Sequence, residues 1–205
     1  MRPARLRLAA WLSLANAFAA VPAVALLGGL AVADRPVLRV VHAAVLVGAL
    51  AVYAFTLFTL RALLHARGIY EADPLIKGLL LICALQSVLE LPWLPGPSET
   101  SRQGSALVLS AVYWLALIGF ARRLRALGDP LHGFRERLAG ALVVAAVGGL
   151  ALTALSIPMI ASREPAMAES TPWMLATLVA AFTTLLGYAR GSIVLARIFW
   201  REARA

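Results

Sequence analysis

Six apolar runs divide this chain, and only short polar connections separate them. They lie at about residues 8–33, 37–64, 75–93, 105–124, 138–160 and 172–199. The hydrocarbon core of a bilayer is roughly 30 Å thick, which takes about 20 helical residues to cross. In lipid no water satisfies the backbone, so each run must bond its own N–H and C=O groups as a helix. Transmembrane strands would show short alternating segments, and these runs are continuous. The pattern predicts an all-α polytopic bundle of six spans, forming a single membrane domain over residues 1–205.

Composition supports the same solvent. Residues are 61% hydrophobic and 14% charged, where a soluble domain carries roughly 25% charged residues. The polar stretches are too short for a soluble domain, so none is expected. The first run competes with a signal peptide, because Ala31-Val32-Ala33 resembles a cleavage site. Its length argues against that, since signal peptides use only about 7–15 apolar residues. A five-span bundle, with the first run peripheral or cleaved, is the alternative.

The formal charge is +9, carried almost wholly by arginine. Those arginines sit at the ends of apolar runs, which is the mark of membrane topology and of contact with anionic headgroups. Nucleic acid is therefore not the expected partner; the bilayer is. With the N-terminus in the cytoplasm, one side gathers Arg2, Arg5, Arg7, Arg61, Arg67, Lys77, Arg197, Arg201 and Arg204. It also gathers the densest cluster, Arg122, Arg123, Arg125, Arg135 and Arg137, in a tight hairpin around Gly128-Asp129-Pro130. The other side holds only Arg35, Arg39, Arg102 and Arg163. The positive-inside rule then places both termini in the cytoplasm. The Arg and Ala bias suggests a GC-rich bacterial genome, and hence a multi-pass protein of the bacterial inner membrane.

A short echo runs through the chain. Ala51-Val52-Tyr53 recurs as Ala111-Val112-Tyr113, with Gly68 and Gly128 each fifteen residues after the tyrosine. Leu57, Leu64 and Ala66 match Leu117, Leu124 and Ala126. This spacing is consistent with a duplicated helical hairpin, as in some transporters, or with coincidence in a chain rich in Ala, Leu and Val.

Polar groups within the runs are the candidates for function, because membrane burial of charge costs at least about 2.5–3.5 kcal/mol at a helix centre. Gln86 and Glu90 share one face of the third run at i, i+4 spacing. They would line a polar pathway, unless Glu90 meets water at the interface beside Pro92 and Trp93. Tyr188 and Arg190 form a second polar stretch near the end of the sixth run. By length Arg190 would snorkel to the inner headgroups. Asn16 lies in the first run and would hydrogen-bond to a neighbouring helix. Ala15, Ala19, Ala23, Gly28 and Gly29 give that helix a small-residue face, as do Ala141, Ala145, Gly148 and Gly149 in the fifth. Such faces suit close packing or a second subunit.

Other chemistry has little support. His42, His65 and His132 share no i, i+4 spacing, so no metal site is expected. No cofactor motif, nucleophile elbow or phosphate loop is present. The lone Cys83 reads as a small packing residue. Asp73 and Asp129 stand beside prolines, as turn residues do. The expected function is a channel- or transporter-type protein acting as a homo-oligomer, and not an enzyme. The alternatives are a membrane scaffold or regulatory subunit that binds another membrane protein, and a lipid-modifying enzyme using Glu71, Asp73, Asp129 or His132.

Overall fold

The computed structural model describes residues 2–32, 36–89, 99–127, 133–162 and 170–205. Glu90, Asp129 and His132 therefore lie outside the described residues, as does Gly128 of the sequence echo. Every apolar run forms a helix: α1 (Pro3–Val32), α2 (Pro36–Ala66), α3 (Asp73–Leu89), α4 (Glu99–Ala126), α5 (Arg135–Ser162) and α6 (Thr171–Glu202). No strand occurs among the described residues. Among the described residues, four segments are long and apolar enough to cross a membrane: Val47–Ala66, Gly104–Ala126, Arg135–Pro158 and Thr171–Glu202. The side chains described in α1 stop at Phe18, and α3 has 17 residues up to Leu89.

Consecutive helices pack on one another, and α6 packs back on α1, so the bundle closes into a ring. The outward faces stay apolar, with Leu178, Val179, Phe182 and Leu186 of α6 all more than half exposed. A helix that is apolar on both faces suits a lipid surround.

Local sequence explains the boundaries. Gly68 closes α2 with φ +75°, a left-handed position that other residues adopt at a cost. Its N–H donates to the His65 carbonyl, and the Ile69 N–H donates to the Leu64 carbonyl. That pair of bonds is a Schellman cap, and it satisfies carbonyls the helix end leaves open. Extended Ser170 followed by Pro172 in the first turn starts α6.

The tightest packing lies between α5 and α6, and it uses the small-residue face of α5. A Cβ added to Gly187 would overlap the Ala145 backbone and come 2.9 Å from the Ala141 carbonyl. One added to Gly148 would come within 2.6 Å of the Thr184 amide nitrogen. Gly149 lies under the Trp114 indole, which leaves no room for a Cβ there either. Lipid tails are as apolar as leucine, so close backbone approach replaces the hydrophobic drive between helices. Here the α5 face is occupied within the chain. The corresponding face of α1 lies largely beyond its described side chains.

The sequence echo acquires a three-dimensional meaning. Tyr53, Leu57, Leu60 and Leu64 of α2 are all buried, as are Tyr113, Leu117, Phe120 and Leu124 of α4, sixty residues later. In α6, Ser192, Leu195 and Phe199 are buried at the same spacing behind Tyr188. One tyrosine-led stripe therefore faces the core from each even-numbered helix.

Candidate functional site

The three tyrosines meet. The Tyr53 and Tyr113 ring centroids are 6.3 Å apart, and those of Tyr53 and Tyr188 are 5.5 Å apart. Asn16 Nδ2 donates to the Tyr188 hydroxyl oxygen at 2.7 Å. Four helices thus contribute to one polar tier.

Its depth follows from the helix bounds. Asn16 lies thirteen residues beyond Pro3, Tyr53 and Tyr113 lie thirteen before Ala66 and Ala126, and Tyr188 lies fourteen before Glu202. At 1.5 Å per residue the tier sits about 20 Å from the arginine-rich end. Between the two, Leu57, Leu60, Leu64, Leu117, Phe120, Leu124, Leu195 and Phe199 fill the core.

The tier differs from the other polar groups in the helices. Ser13, Thr59, Thr153, Ser156, Thr183 and Thr184 each donate to a carbonyl four residues back in their own helix. Those hydroxyls are satisfied locally and need no neighbour. Asn16 bonds to Tyr188 between helices and the three tyrosine rings meet between helices, so their positions depend on the whole ring.

A second cluster sits at the arginine-rich end. Asp73, in the first turn of α3, takes Arg61 on its Oδ1, with Arg61 Nη2 3.4 Å from Oδ2. His65 Nε2 lies 2.8 Å from Oδ1, and Lys77 Nζ lies 2.7 Å from Oδ2. The helix N-terminus adds a favourable field for the carboxylate. Hydrogen bonds from Arg61 and then Lys77 hold the Asp73 carboxyl well below the usual carboxylate range. Glu71, in the turn between α2 and α3, reaches Arg123 of α4 at 2.7 Å, and Arg67, just past α2, reaches Glu202 of α6 at 2.5 Å. This turn therefore ties the ends of α2, α3, α4 and α6 together.

The sign of its pH dependence follows. A carboxyl with a depressed folded pKa stabilises the fold above its unfolded value, near pH 4, and that contribution is lost as pH falls through the folded value. The unfolding midpoint in detergent is expected to fall progressively as pH drops below about 5, and to keep falling past about pH 3. Asp73→Asn should lower the midpoint at pH 7 and flatten the drop, as thermal scans across that range would show.

The remaining candidates are scattered. Gln86 is half-buried on α3, and its partner Glu90 lies outside the described residues. Arg190 is exposed on α6, although Tyr188 two positions earlier reaches the tier. Within the basic hairpin, Arg123 meets Glu71, Arg125 approaches Glu136 at 3.4 Å, and Arg135 donates to the Leu127 carbonyl. Arg122 and Arg137 are exposed. Among the described residues no group of three His, Cys, Asp or Glu side chains could hold a metal ion.

Sequence reasoning singled out Asn16 and Tyr188 separately and read Tyr53 and Tyr113 only as repeat markers. Their common distance from the basic helix ends was the signal that unites them. Asp73 was expected as a turn residue, and the fold adds three basic partners to that role.

No family model, curated protein or solved structure matches this chain. The described residues define an all-helical fold in which four helices are long and apolar enough to cross a membrane.

Proposed function

We propose that this chain is a six-span protein of the bacterial inner membrane, with both termini in the cytoplasm, that passes a small polar solute or ion. In this reading it is a channel- or transporter-type unit, working as a homo-oligomer. The observation that carries the reading is the tier of Asn16, Tyr53, Tyr113 and Tyr188, gathered at one depth inside an apolar bundle. Polar groups at such depth are costly to place and mark pathways by default. Neutral hydroxyl and amide groups favour a solute that exchanges hydrogen bonds. The apolar core between the tier and the basic end then acts as the closed cytoplasmic gate.

The same tier also favours a second reading. Asn16 bonds to Tyr188 and the tyrosine rings pack on one another, as the polar lock of a non-transporting scaffold or regulatory subunit would. Of the residues the lipid-enzyme alternative would use, Asp73 meets Arg61, His65 and Lys77 and Glu71 meets Arg123, while Asp129 and His132 lie outside the described residues.

Vesicle flux separates the two main readings. Purified protein in liposomes should be assayed for proton leak with a pH dye, for potassium release, and for glycerol uptake by swelling. The transport reading expects at least one flux to exceed that of empty vesicles by about tenfold, a barrier change of roughly 1.4 kcal/mol. If all three match empty vesicles, the scaffold reading replaces it.

A further inference from the structure

At the arginine-rich end, the ion pairs among the described residues use Arg61, Arg67, Lys77, Arg123, Arg125 and Arg135. Arg7, Arg197, Arg201 and Arg204 take part in none of them, and all four are exposed on the α1–α6 side of the ring. They surround two adjoining pockets. One, of about 340 Å³, is lined by Arg7, Trp11, Trp200, Ala203 and Arg204. The other, of about 280 Å³, is lined by Arg197, Trp200, Arg201 and Arg204. Trp200 and Arg204 belong to both.

The chemistry of these walls is that of the membrane interface. Trp11 and Trp200 meet edge to face at 5.4 Å, and Trp11 remains 61% exposed. Tryptophan prefers the headgroup level, with its ring toward the tails and its N–H toward polar groups. The Trp200 Nε1 donor has no hydrogen-bond partner among the described residues. A shielded donor of this kind is costly to leave unpaired, and a headgroup oxygen at the pocket edge would satisfy it after a small turn of the ring. Arginine forks bind phosphate oxygens in pairs. Basic pockets between helix ends on the cytoplasmic side suit anionic headgroups.

Two adjoining pockets, each with its own arginine and sharing Arg204, suit two linked phosphates better than one. We infer that the α1–α6 seam is a binding site for an anionic phospholipid carrying two phosphodiesters, with Arg7 and Arg204 on one phosphate and Arg197 and Arg201 on the other. The site is independent of whether the bundle transports anything.

The test uses the full chain in a neutral detergent, titrated with diphosphatidylglycerol, phosphatidylglycerol, phosphatidylcholine or inorganic phosphate. Bound lipid is counted by native mass spectrometry, and the unfolding midpoint is followed in parallel. Diphosphatidylglycerol should bind about tenfold more tightly than phosphatidylglycerol, with phosphatidylcholine and inorganic phosphate weaker than both. Arg7→Gln and Arg204→Gln should each weaken it by about fivefold, the contribution of one basic residue at such a surface. Arg122→Gln, exposed on α4, should leave it unchanged. Equal affinity for the one-phosphate lipid would overturn the two-phosphate site. Inorganic phosphate competing as well as the lipid would show a simple anion site instead. Identical losses for Arg122→Gln and Arg204→Gln would reduce the effect to general surface charge.

Discussion

Gly187→Ala should destabilise the bundle by about 3 kcal/mol, the upper part of the usual range for overpacking. A Cβ at Gly187 meets the Ala145 backbone and the Ala141 carbonyl rather than a side chain that could swing aside. To accept it, α5 and α6 must move apart along the seam where their backbones touch. Gly191, one turn later on the same helix, gives the internal comparison. Its added Cβ would meet only the Ala141 Cβ at 3.7 Å and a Leu142 methyl at 3.8 Å, which is ordinary contact. Gly191→Ala should therefore leave the unfolding midpoint unchanged or slightly raised, since alanine favours a helix interior by up to about 1 kcal/mol over glycine. Thermal unfolding of the two variants in one detergent checks the pair. A loss of the same size in both would mean that glycine flexibility, and not helix contact, is what the position requires.

The seam also shows what the sequence made legible. The small-residue face of α5 was visible as a periodicity, because alanine and glycine at helical spacing announce a close neighbour. The identity of that neighbour was not visible. A single run carries no record of which other run it touches, and Gly187 and Gly191 stood in a stretch read for its polar residues.

The helices themselves were legible for a stronger reason. In lipid the backbone has one local way to satisfy itself, so an apolar run of this length is a helix whatever surrounds it. All six runs form helices over their described residues. The crossing of the membrane is a separate matter, and among the described residues four helices are long and apolar enough for it.

The two polar clusters were harder to foresee. Arg61, His65 and Asp73 are held together by a turn at Gly68 that folds α2 back on α3. Only Lys77, four residues after Asp73 on the same helix, was within reach of a spacing rule. The tier required a depth for each helix as well as a face. Tyrosine is also an ordinary core residue, so a single Tyr53 in an apolar run gave no reason to single it out.

Removing one hydroxyl from that tier is the second large effect expected. Tyr53→Phe and Tyr113→Phe keep both rings and their packing, and delete only the hydroxyls. The stability cost should be small, at most about 0.6 kcal/mol, the average hydrogen bond between membrane helices. On the transport reading the cost to flux should be larger. A solute that exchanges hydrogen bonds at the tier loses about 1–1.5 kcal/mol when one partner is deleted, roughly tenfold in rate. The direct measurement is the flux of the transported species into vesicles holding equal amounts of wild-type, Tyr53→Phe or Tyr113→Phe protein, each checked for an unchanged unfolding midpoint. A fall of about tenfold in both variants is the result expected of a pathway through the tier. Wild-type flux in both, from protein of wild-type stability, would contradict it and leave the tyrosines as a structural lock.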